Sequence, residues 1–93
     1  MIESFKCKET EKLFYRQFTK HLPQSIHKSA MRKLWMLDAA IRLDDLKVPP
    51  NNQLEALKGD RKGQYSIRIN RQWRICFIWS DGHAGNVEIV DYH

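Results

Sequence analysis

Between Tyr65 and Trp79 the chain alternates apolar and polar residues in two runs separated by a very short break. Tyr65, Ile67 and Ile69 interleave with Ser66, Arg68 and Asn70; after Asn70-Arg71-Gln72, the residues Trp73, Ile75, Phe77 and Trp79 interleave with Arg74, Cys76 and Ile78. A period of two marks a strand, because successive side chains leave a strand on opposite faces. A connector this short makes the two strands antiparallel neighbours. Asp81-Gly82 signals a second turn, and Asn86 to Tyr92 supplies a third strand rich in β-branched residues. The apolar face of such a meander needs a cover. The residues ahead of it can supply one.

Those residues read mostly as helix. Met1 to Lys6 reads as a short strand, and Glu9 to Lys20 as a short helix with Leu13, Phe14 and Phe18 on one side and Thr10 as a candidate cap. Leu22-Pro23-Gln24 interrupts it, since proline cannot sit inside a helix. A longer helix capped by Ser25 follows: Ile26, Ala30, Leu34, Leu37 and Ile41 fall at steps of four, four, three and four. That spacing draws one apolar stripe, widened by Met31, Trp35 and Met36. Asp44 to Asn52 is the main connector, stiffened at Pro49-Pro50. The expected fold is α+β: strand, helix, helix, then three strands, as a small antiparallel sheet with both helices on one face.

A chain of 93 residues fits one domain over residues 1–93, burying roughly 65% of its unfolded surface without metal or disulfide help. No apolar stretch approaches the ~18 residues of a membrane helix. The N-terminus lacks the basic-then-apolar order of a secretion signal. The expected location is cytoplasmic, with Cys7 and Cys76 as reduced thiols. Neither cysteine has a partner at zinc-site spacing, so no metal and no cofactor is expected.

Charge points to a partner. Sixteen Lys/Arg face eleven Asp/Glu, a net charge of +5, and such a surface attracts polyanions. The excess is local: Lys58, Arg61, Lys62, Arg68, Arg71 and Arg74 fall in one stretch whose only acid is Asp60. If Trp73, Ile75 and Phe77 face the helices, Arg68 and Arg74 project from the open face, where several cations can hold phosphates in register. The sequence closes on Asp91-Tyr92-His93. A histidine beside an acid and a phenol on a rigid element suits proton transfer near neutral pH. Each residue also has a plainer reading. Lys58 and Arg61 fit a solvated turn, Arg74 a cross-strand pair with Glu88, and Glu55 an ordinary surface position.

Leu57-Lys58-Gly59-Asp60-Arg61-x-Gly63-x-Tyr65-Ser66-Ile67, then Asn70-x-x-Trp73-Arg74-Ile75-x-Phe77, then Asp91-Tyr92-His93 resemble the HigB-type toxins of the RelE/ParE superfamily. With the opening Ile2-x-Ser4-Phe5-Lys6, the resemblance spans essentially the whole chain. It implies the toxin of a bacterial type II toxin–antitoxin pair, an endoribonuclease that cuts messenger RNA in the A site of the 70S ribosome without a metal. It implies a HigA-type helix-turn-helix antitoxin as partner, with operator DNA reached only through that antitoxin, and no membrane. Position by position, Asp91, Tyr92 and His93 match the family's catalytic tail. Lys58 and Arg74 match the basic residues that hold the RNA backbone or scissile phosphate, with Arg61 beside them. One position departs: many members carry a catalytic histidine just after the leucine preceding the LKGD stretch, where this chain has Glu55. Two alternatives stand beside this: a ParE-like toxin, which shares the fold but poisons DNA gyrase, and a non-enzymatic nucleic-acid or partner-binding module. The first needs no proton-transfer tail.

Overall fold

The computed structural model describes residues 1–92. Helices α1 (Lys8–Phe14) and α2 (Gln24–Ala39) precede a four-stranded sheet of β1 (Glu55–Ala56), β2 (Tyr65–Arg68), β3 (Trp73–Ser80) and β4 (His83–Asp91). The strands lie in sequence order, each antiparallel to the next. The expected meander is present, with its register set by the short turns: Ile67 lies opposite Ile75, and Ile75 opposite Ile89.

The alternation sorts the side chains as their chemistry requires. Ile67, Ile75, Phe77, Ala84, Val87 and Ile89 pack with Leu13 of α1 and with Ile26, Ala30, Leu34 and Leu37 of α2 in one core. Trp73 and Trp79 close its margins. Thr10 is buried, and its hydroxyl accepts from the Ile89 amide at 3.0 Å, pinning α1 to the last strand. A buried polar group without such a partner costs about 1–3 kcal/mol.

Four features differ from the expectation. The N-terminal segment makes two isolated parallel bridges to β4, Ile2 with Ala84 and Phe5 with Val87, and does not form a regular strand. Helix α1 ends at Phe14, not Lys20, because the chain folds back through Arg16 at φ +63° and the Thr19 hydroxyl bonds the Glu9 carboxylate. Phe18 is consequently 66% exposed, and Ile41, beyond the end of α2, is 78% exposed. The main connector leads into a fourth strand, β1, too short at two residues to show any alternation. Helix α2 begins one residue ahead of Ser25, after Pro23, without a side-chain cap.

Strand β4 carries one extra residue. Cys76 pairs with Glu88 but Ile78 with Gly85, so two steps on β3 face three on β4. Asn86 sits in this bulge at φ +49°, a left-handed conformation that asparagine tolerates better than most residues.

Candidate active site on the open sheet face

Because Trp73, Ile75 and Phe77 face the helices, Arg74 and Cys76 of β3 share the opposite face with Ser66 and Arg68 of β2 and Glu88 of β4. Glu55 of β1, opposite Ser66, joins them. Arg68 and Arg74 are direct cross-strand partners, an arrangement that repels unless the guanidinium groups part. They do part. Arg68 bonds outward to the Asn70 carbonyl at 3.1 Å, while Arg74 turns inward.

Arg74 is only 6% exposed. Its Nε donates to Ser66 Oγ at 2.8 Å, and its Nη2 to the Gln53 carbonyl at 2.6 Å and more weakly to the Ser66 carbonyl at 3.4 Å. All three acceptor oxygens are neutral. Among the described residues no carboxylate lies within ion-pair distance of this guanidinium, and Glu88 pairs instead with Lys6 and Arg61. Gln53 offers its carbonyl from a left-handed backbone, φ +47°. The result is a fixed, desolvated cation without a counter-charge among the described residues, an expensive arrangement unless an anion completes it.

Tyr92 covers this cation. The Arg74 guanidinium carbon lies 5.4 Å from the centre of the Tyr92 ring, within cation–π range. The phenol hydroxyl donates to Glu55 Oε1 at 3.2 Å. Burial, and after it the Glu55 carboxylate, push the Tyr92 hydroxyl above its usual 10.0, so it stays a protonated donor at neutral pH. Tyr92 also separates two clefts. One of about 550 Å³ is lined by Glu55, Ala56, Leu57, Lys58 and Tyr92, and the other, of about 790 Å³, by Arg68, Asn70, Arg71, Gln72 and Tyr92. Four of the expected RNA-binding cations therefore meet one surface: Lys58 in the first cleft, Arg68 and Arg71 in the second, Arg74 beneath the tyrosine between them.

The others stand apart. Arg61 ion-pairs with Glu88 at 3.1 Å and donates to Gln64 at 3.0 Å; the bond to Glu88 holds its guanidinium even more firmly protonated than usual. Lys62 is exposed in the loop and lines neither cleft. Asp91 pairs with Trp73, on the opposite side of β4 from Tyr92, and accepts from Gln72 Nε2 at 3.2 Å. His93 lies outside the described residues.

Ser66 and Gln53, which hold Arg74, escaped the sequence reading. Ser66 carried a signal, since strand parity puts it on Arg74's face next to Arg68; the left-handed turn at Gln53 carried none. Cys76 is fully buried beneath the cations, and burial pushes its thiol above the usual 9.0. Among the described residues no three His, Cys, Asp or Glu side chains gather as a metal site.

Comparison with known proteins fits this geometry. The family model described as "RelE-like toxin of type II toxin-antitoxin system HigB" matches residues 3–93. The chain belongs to the HigB-like toxins. Its similarity to "Toxin HigB-1" of Vibrio cholerae serotype O1 is 46% identity over 88 residues, covering 92% of each chain. It is 35% identical to "Endoribonuclease HigB" of Proteus vulgaris over the full length of both. Its fold is that of two solved structures. A YafQ mutant from E. coli matches at TM-score 0.63 and 12% identity, covering 98% of this chain and 93% of YafQ. The toxin in the YoeB–YefM complex of Staphylococcus aureus matches at TM-score 0.61 and 21% identity, covering 100% and 98%. As a type II toxin, this HigB-like chain has an antitoxin as its partner.

Proposed function

We propose that this HigB-like toxin works as a single domain over residues 1–93 and is an endoribonuclease that cuts messenger RNA in the A site of the 70S ribosome. Its antitoxin is of the HigA helix-turn-helix type, and it meets operator DNA only through that protein. The observation that carries the proposal is Arg74, a buried cation held by neutral oxygens and lacking a carboxylate partner among the described residues. Such a site fits a phosphodiester, whose charge grows as the reaction proceeds.

In the proposed reaction, the ribose 2′-oxygen attacks the adjacent phosphorus and the bond from phosphorus to the 5′-oxygen breaks. The products are a 2′,3′-cyclic phosphate and a free 5′-hydroxyl. Glu55 takes the 2′-hydroxyl proton and is favoured over Asp91 because it shares a face with Arg74 and Tyr92. His93 gives a proton to the departing 5′-oxygen. A carboxylate and an imidazolium start in opposite protonation states, as the two transfers require, and each is worth ~10²–10⁴ in rate. Arg74 and Lys58 stabilise the pentacoordinate phosphorus. Tyr92, as a protonated phenol, keeps Glu55 in place and offers its ring edge to a base in either cleft. Arg68 and Arg71 hold the backbone leading to the cut.

The test is induced expression of the wild type, His93→Gln and Arg74→Ala, with RNA 5′ ends mapped across transcripts. New 5′-hydroxyl ends within translated messages, absent from both variants, are expected. Growth arrest with persistent gyrase–DNA complexes and no new RNA ends would select the ParE-like alternative.

A further inference from the structure

Two arginines flank the buried Cys76 on the open face, and they are electrically unlike. Among the described residues Arg74 has no carboxylate partner, whereas Arg61 is held by Glu88 at 3.1 Å and Gln64 at 3.0 Å. Glu88 is itself largely covered, with its side chain 15% exposed. It sits on β4 opposite Cys76, so Arg61 reaches from the loop before β2 across to the far strand. We propose that Arg61 and Glu88 form a positioning clamp that fixes the Lys58 loop against the sheet, and that Arg61 makes no contact with RNA. This rests on the endoribonuclease reading above.

The loop needs such a fastening. Residues 58–64 close on themselves through Leu57 N to Gln64 O at 2.9 Å, Gln64 N to Arg61 O at 3.0 Å and Lys62 N to Gly59 O at 3.1 Å. Gly59 and Gly63 both take positive φ, conformations open to glycine that give the backbone little stiffness of its own. Lys58 caps the 3₁₀ turn Gly59–Arg61 and lines the cleft with Glu55 and Tyr92. Nothing in the turn's own hydrogen bonds holds that cleft wall to β3 and β4. The Arg61–Glu88 pair does, as a charge-assisted bond inside a partly buried network. It also uses the Glu88 charge on Arg61, leaving Arg74 as the cation available to an anion. A displaced Lys58 affects the chemical step, since small displacements of a catalytic group carry large rate penalties.

The test separates positioning from contact by opposing signs. Single-turnover cleavage is measured on ribosomes programmed with a defined messenger. Binding is measured by titrating a single-stranded RNA carrying a 2′-deoxy residue at the cut, across a salt series. A phosphate-contacting cation contributes about 0.7 to the slope of log K against log salt on single strands. Lys58→Ala is expected to flatten that slope, while Arg61→Ala leaves it unchanged and slows cleavage about tenfold. Glu88→Gln removes a negative charge, so by charge alone it would tighten binding and cut as fast as wild type. The clamp predicts cleavage about tenfold slower, with binding within twofold. Lys6→Ala, which removes the other, exposed partner of Glu88, leaves cleavage within twofold.

The exchange Arg61→Glu with Glu88→Arg is expected to recover cleavage to within about threefold of wild type. Melting temperatures identify any variant lost to misfolding, and Glu88→Gln then decides alone. A flattened slope in Arg61→Ala, or full-speed cleavage by Glu88→Gln, overturns the clamp. Absence of cleavage by the wild type itself, with the same ribosomes and messenger, overturns the underlying endoribonuclease assignment instead.

Discussion

The sheet buries side chains on both faces by different means. On the helix-covered face, Ile67, Ile75, Phe77 and Val87 lose contact with water because α1 and α2 lie over them. On the open face, Ser66 and Cys76 are equally inaccessible and Arg74 nearly so, yet the cover there consists of polar side chains and loops: Arg61, Tyr92 and the Gln53 turn. Apolar burial lowers the free energy of the fold in proportion to area. Burying a guanidinium against neutral oxygens works the other way, holding a charge ready at some expense to stability. One face makes the protein stable; the other, in the proposed reaction, makes it reactive.

The contrast can be broken from either side. Phe77→Ala should destabilise the fold by roughly 3–5 kcal/mol through lost transfer and cavity terms, while the fraction still folded cleaves RNA normally; denaturant titration beside an active-site count separates the two. Arg74→Ala should do the reverse. Cleavage falls ~10²–10³-fold, the scale for removing one preorganised donor, while the melting temperature holds or rises because an unpaired buried charge has gone. A large drop in melting temperature would mean that Arg74 is a structural residue.

Ser66→Ala leaves Arg74 in place but without its acceptor at 2.8 Å. A fall in kcat of about tenfold is expected, following the ~1.5–3 kcal/mol of hydrogen bonds to charged groups, with KM for the programmed ribosome little changed. Tyr92→Phe removes the donor to Glu55 and keeps the ring over Arg74. A several-fold loss of cleavage is expected, read in the same single-turnover assay.

The smallest effect is a pH dependence far from the site. Asp45 accepts from the amides of Arg42 and Ile41, which hold its carboxyl below the ordinary 3.8. A group more acidic in the folded state adds stability above its unfolded value, lost as pH falls through the folded one. Asp45→Asn should therefore be slightly less stable than wild type at pH 6, with the difference closing as the pH falls below 3.8 in acid-unfolding curves.

Strong periodicity was legible in the sequence. The β3 alternation and the α2 stripe span enough residues for tertiary packing to follow them, and Ile75, Phe77, Leu34 and Leu37 fell where that pattern sent them. What eluded the sequence was decided by single residues in unusual backbone states. Arg16 at positive φ ends α1 early, Gln53 at positive φ delivers the carbonyl that fixes Arg74, and β1 is too short to carry a pattern. The site was legible as a set of charges but not as a distribution of partners. Lys58 and Arg74 were separable from Arg61 only once Glu88 was seen to neutralise one and not the others.

Asn86 carries a consequence for heredity as well as geometry. Had β4 run without its extra residue being absorbed, positions 86, 88, 90 and 92 would follow Ala84 beneath the helices, taking Glu88 and Tyr92 with them. A lineage that shortens this strand by one residue at position 86 keeps the tyrosine over Arg74, whereas a β-branched replacement there, unable to adopt φ +49°, pushes the strand toward the inverted phasing. For this toxin the deletion preserves the phase of Glu88 and Tyr92, and the conservative-looking substitution is the one that threatens it.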